Sequence, residues 1–254
     1  MSFEVKLITK KETWDDFLET QTYRLMTQAW EYGDFYKSQG EEAWVLGVYD
    51  KDTLIGGAML VSVHAKRGNF LFLPYGPIGE MPDEAHSVLF DYLKKKGKKE
   101  GYHFIRVSPF EDESVEKTYE KYGFRHAPIH MLAETTWLLD LSPQAEDLLK
   151  AMNKNHRNLI RRCERDGVII KSFTDKKALE QFNVLHDETA KRHHFVRFSD
   201  SYVEKEFEAF SKEKQAVVFH AYLPDGRLDA AAVVYYYKHM ASYRHGASLM
   251  LDKK

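Results

Sequence analysis

Lys154, Arg157, Arg161 and Arg165 recur at intervals of three or four residues. At helical periodicity that spacing puts four cations on one face. The plain reading of such a face is the solvated side of a surface helix. Ile160 and Cys163 fall on another face, with His156 in line. Nucleophilic chemistry finds less support. No Ser-His-Asp or Cys-His arrangement stands out, and the twelve histidines are scattered. His193 and His194 sit beside basic residues, which argues against a metal site. Cys163 is the single cysteine, and its place on a helix face suits a small packing residue better than a nucleophile. One cysteine also excludes an intrachain disulfide framework and fits a reducing compartment. A glycine-rich turn that would cradle a pyrophosphate on backbone amides is missing: Gly97 and Gly101 have the wrong spacing and no third glycine.

The cations sit within residues 135–171, which predict strand, short helix, basic helix, strand. Trp137, Leu139 and Leu141 alternate with Thr136, Leu138 and Asp140, the pattern of a partly buried strand. Ser142 and Pro143 supply a cap and a first helical residue. Asn153 or Asn155 can cap the basic helix, Gly167 stops it, and Val168 to Ile170 resume a strand.

Upstream, Phe3 to Ile8 alternates like an opening strand, and Thr13 can cap a helix carrying Trp14, Phe17 and Leu18. A helix from about Thr27 to Ser38 ends at Gly40. Ala43–Tyr49 and Thr53–Val63 read as a hairpin across Asp50-Lys51-Asp52. Gly56-Gly57 inside its second strand predicts a bulge or the close approach of another backbone. Phe70 to Leu73 is a strand, followed by a shaped loop with two prolines and two glycines. Asp83 to Glu100 is an amphipathic helix with Ala85, Val88, Leu89, Tyr92 and Leu93 inward. Its C-terminal lysines complement the helix dipole and need no ligand. His103 to Val107 is a strand, and residues 114–124 read as helix, turn, strand. Downstream, Asp175 to about His193 forms one or two helices, and Ser199 or Asp200 caps the next. Ala216–Tyr222, Arg227–Tyr237 and Met240–His245 read as three antiparallel strands.

With 254 residues the chain can bury one large or two medium cores. A net charge of −2 does not announce a nucleic-acid binder, so any polyanion must be met by a local patch. The N-terminal residues carry no apolar secretory region, and no run reaches the length of a membrane span.

Trp137, Leu139, Asp140 and Leu141, then Lys154, Arg157, Ile160, Arg161, Gly167 and Val168, resemble the signature of the FemABX peptidoglycan aminoacyltransferases. The resemblance runs over nearly the whole chain. Gln28, Tyr32 and Gly33 match a Gln and aromatic-Gly pair. Tyr75, Gly76, Pro77 and Gly79 match a turn that lines the family's substrate cleft. Residues 114–124 are similar to a helix-turn-strand of the GNAT N-acyltransferases, from whose fold both halves of Fem-type proteins are built. His186, Thr189, Arg192 and Phe195 match a "Y-x-x-T-x-x-R-x-x-F" run. Tyr243, Gly246, Ala247 and Ser248 match "Y-x-Y-G-A-S", with His245 in place of the second tyrosine.

The resemblance implies an α/β fold of two GNAT-like subdomains, mixed sheets flanked by helices, over residues 1–141 and 142–254, with the substrate cleft between them. The family continues beyond the last strand with a helix, a further strand and a lysine-bearing segment. A second subdomain truncated at its C-terminus is therefore expected, and because Tyr202 to Gln215 leaves no room for the helical coiled-coil arm that some members insert in the second half, the compact type is expected. The implied reaction is transfer of an amino acid from aminoacyl-tRNA to the stem peptide of a UDP-linked or lipid-linked muropeptide. It needs no cofactor and no metal. It implies a cytoplasmic enzyme without a transmembrane segment, with peripheral membrane association open. In the family an arginine and a tyrosine bind the substrate phosphates where Arg197 and Tyr202 stand, and an ungapped match places Phe198 at that arginine. Tyr243, His245 and Tyr75 would line the same cleft. Lys37 is the nearest counterpart of a phosphate-binding lysine, or is simply solvated. Lys154, Arg157, Arg161 and Arg165 would meet tRNA. No catalytic residue is singled out. Two other readings stay open, a coenzyme-A-dependent N-acyltransferase and a non-catalytic muropeptide-binding remnant.

Overall fold

Alternation at Phe3–Ile8 gives strand β1, which pairs antiparallel with β2 (Ala43–Asp50) in a computed structural model describing residues 3–66, 68–110 and 115–250. The chain divides into two compact units.

The first unit comprises residues 1–132 with 205–215 and 236–242. Its sheet runs β1-β2-β3-β4-β5, with β3 at Thr53–Ala65, β4 at Gly68–Pro74 and β5 at Phe104–Ser108. All neighbours are antiparallel except β4 and β5, which are joined by the crossover helix α3 (Asp83–Glu100). Ala85, Leu89, Phe90 and Leu93 of α3 bury against Leu46, Leu60, Leu71 and Leu73 of the sheet. Each such leucine or phenylalanine contributes about 1.5–3 kcal/mol through removal from water. Helices α1 (Lys11–Glu19) and α2 (Trp30–Ser38) bury Trp14, Leu18, Tyr32 and Phe35. Both readings of Gly56-Gly57 hold. The β2–β3 register shifts opposite them, and Gly57 exchanges two backbone hydrogen bonds with Ile78, at 3.0 and 2.8 Å. The residues 236–242 belong here because Tyr237 donates to Asp15 at 2.8 Å and His239 reaches Glu19 at 3.1 Å.

Three expectations fail in this unit. Helix α1 starts at Lys11, two residues before Thr13, after an extended Lys10 with no side-chain cap. The helix predicted from Thr27 starts at Trp30, after a separate 3-10 turn at Met26–Gln28. The Gln28 carbonyl accepts from the Trp14 indole at 2.7 Å, and Ala29 is extended. Helix α4 spans Val115–Glu120, but no strand follows it. Phe124 packs on Phe90 at 4.8 Å and Tyr119 at 5.8 Å instead of joining a ladder. Residues 111–114, where that motif begins, lie outside the described residues.

The second unit comprises residues 133–204, 216–235 and 243–254. Its sheet runs β6-β7-β8-β9, at Ile169–Phe173, Ala216–Tyr222, Leu228–Tyr237 and Met240–Ser248. Helix α7 (Lys176–His193) is continuous, with Asp175 capping it through Ala178 N at 3.0 Å. It buries Leu179, Phe182 and Leu185, while Val218 and Val233 are buried on the sheet. Helix α8 (Asp200–Ser211) starts where Ser199 accepts from Tyr202 N at 3.2 Å.

The predicted strand at 135–141 is absent, and Trp137 is 89% exposed. Alternation reports amphipathy but cannot supply a neighbouring strand. Asp140 instead accepts from the backbone and hydroxyl of Ser142, at 2.9 and 3.0 Å, a local turn that competes with extended pairing. This also removes Ser142 as a cap. Helix α5 begins at Ala145, after Gln144, and ends at Ala151. Helix α6 (Lys154–Arg165) is capped by Asn153, whose side chain accepts from Asn155 N at 2.9 Å, and stops before Gly167 at φ 78°.

Candidate functional site

The polar side chains of the second unit converge where α7, the 195–202 segment and β9 meet. His186, Thr189 and Arg192 recur every three residues along one side of α7. Thr189 donates to the Ser248 carbonyl at 2.9 Å and accepts from Ser248 N at 2.9 Å. Arg192 donates to the same carbonyl at 2.7 Å and to the Ser248 hydroxyl at 3.1 Å. These two residues clamp the end of β9, which explains their spacing without a ligand. His186 lies inside, its ring 6.0 Å from His245 and 5.1 Å from Phe182. Burial, with His245 and Arg197 close by, pulls His186 down to about 4, so it is neutral near pH 7.

Arg197, Tyr202 and His245 gather around Phe198. Tyr202 stacks on that ring at 4.4 Å and 11°, and His245 meets it at 5.9 Å. Arg197 does not point an idle fork outward. It donates to Asp187 at 3.2 Å, Asp200 at 2.7 Å and the Phe198 carbonyl at 2.9 Å, with 17% of its side chain exposed. Its first effect is to pin the 195–200 segment to α7. Tyr243 is exposed and folds back over Gly246, where any Cβ would collide with its hydroxyl. It borders a cleft of about 490 Å³ floored by Ala221, Ala230, Ala232 and Gly246, with Arg192 and His193 along the wall.

Lys37 and Tyr75 belong to the first unit. Lys37 lies 3.6 Å from Asp34 and 5.9 Å from the Trp30 ring, beside a cavity of about 210 Å³ lined by Gly33, Trp44 and Met59. Tyr75 adopts φ 52° and meets Phe110 edge-on at 5.2 Å, and it does not line that cavity. On α6, no residue is buried. Arg157 turns back to the Lys150 and Met152 carbonyls, at 2.5 and 3.2 Å, satisfying the end of α5. Arg165 lies 3.9 Å from Asp166. Lys154 and Arg161 complete the exposed cationic face.

Sequence reasoning passed over His186, Phe198 and Arg244 as site residues. The signal available was adjacency: Phe198 follows Arg197, and Arg244 lies between Tyr243 and His245.

Antiparallel strands closed by a parallel β4–β5 crossover, and a second helix-backed sheet, define a two-unit GNAT-like α/β protein. A profile of the FemAB family matches residues 8–229, and the chain belongs to that family. A crystal structure of FemX is similar at 16% identity, covering 98% of this chain and 80% of that one, with a TM-score of 0.79. A conserved protein of unknown function from Bacteroides thetaiotaomicron aligns at 10% identity over 97% and 80%, TM-score 0.57. A tandem GNAT protein from the clavulanic acid biosynthesis pathway aligns at 12% identity over 97% and 79%, TM-score 0.52. These three likenesses concern the fold. No curated protein matches the sequence. Family membership supports a transferase of peptidoglycan biosynthesis, of the kind that forms cross-bridges. Among the described residues no helix is long and apolar enough to cross a membrane.

Proposed function

We propose that the protein transfers an amino acid from an aminoacyl-tRNA to an amine of the stem peptide of a UDP-linked or lipid-linked muropeptide in the cytoplasm. The observation that carries this reading is the FemAB match over residues 8–229. The ester of the donor is already activated, so the protein must align amine and carbonyl, assist the proton and stabilise the oxyanion. The amine attacks the ester carbonyl, the bond to the tRNA oxygen breaks, and the proton lost from nitrogen ends on that oxygen. No covalent enzyme intermediate is needed, in keeping with the lack of a nucleophile in the sequence. Arg197, Tyr202, His245 and Tyr243 serve the acceptor. Lys154, Arg157, Arg161 and Arg165 serve the tRNA.

Incubation with charged tRNA and a UDP-linked muropeptide should add the mass of one aminoacyl residue to the muropeptide, and uncharged tRNA should add nothing. Acetyl transfer from acetyl-coenzyme A, with no transfer from charged tRNA, would overturn the reading.

A further inference from the structure

We propose that residues 137–141 and the apolar arc of α6 form a surface that docks on an anionic phospholipid leaflet. Both lie in the second unit. Trp137, Leu138, Leu139 and Leu141 are all exposed, Trp137 at 89% and Leu141 at 62%. Four large apolar side chains among five consecutive residues, all open to water, mark an interaction surface. Asp140, the carboxylate within that stretch, is turned onto the backbone and hydroxyl of Ser142, at 2.9 and 3.0 Å.

Helix α6 has the same character in helical form. At helical periodicity Leu159, Ile160 and Cys163 share one arc with His156, and all four are exposed. Lys154, Arg161 and Arg165 occupy the opposite arc, and Arg157 and Arg162 flank the apolar one on either side. No residue of the helix is buried.

Charge selects the occupant. From Lys154 to Asp166, five cations stand against two carboxylates, Glu164 and Asp166. A second copy docked here about a two-fold axis would set like charges against each other. A nucleic acid would satisfy the cations and leave the tryptophan, leucines and isoleucine in water. An anionic leaflet answers both. Its headgroups attract the cations, while the indole and the apolar arc enter the boundary of headgroups and acyl chains. This attraction sums charges and needs no free donor. The bonds of Arg157 to the α5 carbonyls and of Arg162 to Asp166 therefore do not oppose it. The far arc stays on the aqueous side, where the tRNA is proposed to bind. Docking also brings the protein to an acceptor whose diphosphate sits in the same leaflet. Together with the function proposed above, on which this consequence rests, the surface selects the lipid-linked muropeptide.

Flotation of the full chain with vesicles of phosphatidylcholine, alone or mixed with phosphatidylglycerol, tests the surface. The wild type should bind the mixed vesicles, less so in high salt, and bind the plain ones weakly. Trp137→Ser combined with Leu159→Asn and Ile160→Asn should cut binding to mixed vesicles by about tenfold or more. Trp137→Ser alone should show part of that loss. The melting temperature should stay near that of the wild type, because these side chains are already exposed. In transfer assays the triple variant should keep its rate on a UDP-linked muropeptide and lose it on a lipid-linked one in mixed vesicles. A wild type that ignores mixed vesicles, or a triple variant that matches it in binding, would overturn the inference and leave the proposed function standing. Self-association lost in the triple variant, in place of vesicle binding, would give the surface to a second copy and overturn it as well. Equal rates of variant and wild type on the lipid-linked acceptor would overturn the acceptor assignment. Vesicle binding that depends on the three side chains, with no transfer from charged tRNA to either acceptor, would support the surface and overturn the function.

Discussion

Gln28 shows how much one buried polar side chain can organise. Its amide nitrogen donates to the Pro74 carbonyl at 2.6 Å, and its amide oxygen accepts from Met59 N at 2.8 Å. Its own carbonyl accepts the Trp14 indole. One residue without measurable exposure therefore ties α1 to the strand end where the 74–79 loop departs. Gln28→Ala would leave a buried donor and a buried acceptor unpaired beside a new void. We expect a loss of roughly 2–5 kcal/mol in unfolding free energy, read from urea denaturation. A loss below about 1 kcal/mol would mean that water replaces the amide without cost. Gly246 is constrained for a different reason. Its lack of a Cβ, and no unusual backbone angle, lets Tyr243 lie across the strand.

Helix α6 is the element whose sequence pattern and role are easiest to separate. The cationic side is real, yet Arg157 is engaged by α5 and Arg162 by Asp166 at 3.1 Å. Replacing Arg157, Arg161 and Arg165 together by Gln should lower tRNA affinity. It should also reduce the slope of log affinity against log salt by roughly one for each phosphate no longer neutralised. The single variant Arg157→Gln controls for loosening of α5. An unchanged slope in the triple variant would leave the face as a solvated surface. The opposite arc of α6 is also open, with Leu159 54% exposed, so the helix is held by its cap and by Arg157 and not by a buried stripe. Helix α7 is the contrast: it buries one face and clamps β9 through Thr189 and Arg192.

At the scale of the molecule, acid should act on the second unit through its buried imidazoles. His186 is held down to about 4 from 6.5 by burial, His245 and Arg197. His220 is also lowered by burial while it bonds the Ala178 carbonyl at 3.0 Å. A group whose folded pKa is depressed takes up its proton more readily when unfolded. Its contribution is therefore complete above 6.5 and is lost as pH falls from 6.5 toward about 4. The urea midpoint should drop across that window, and His186→Phe should flatten the drop. A variant whose midpoint falls as steeply as the wild type would show that His186 is not responsible. In the first unit Glu41 works at lower pH. Although burial opposes it, bonds from Ser62 and His64 lower its pKa, so its contribution is lost only as pH falls through that lowered value.

The sequence by itself carried what is local and periodic. Alternation located β1 and β7, helical spacing located α3, α6 and α7, and glycine chemistry located the close approach at Gly57, because each depends on a few neighbouring residues. Motif residues at His186, Thr189, Arg192 and Tyr243 also pointed to the right family before any geometry was known. Where partners are distant, the same reasoning stopped short. The 135–141 segment alternates like a strand, but pairing requires a neighbour that local sequence cannot name, and the Asp140–Ser142 turn prevails. Arg197 is expected by resemblance to meet phosphate, whereas in the fold Asp187 and Asp200 both pair with it. Arg244, forty-six positions from Phe198 in the numbering, reaches that ring only through tertiary structure. Periodicity is written along the chain, whereas charge balance and ring packing are set by residues far apart in sequence, and only their arrangement in three dimensions decides them.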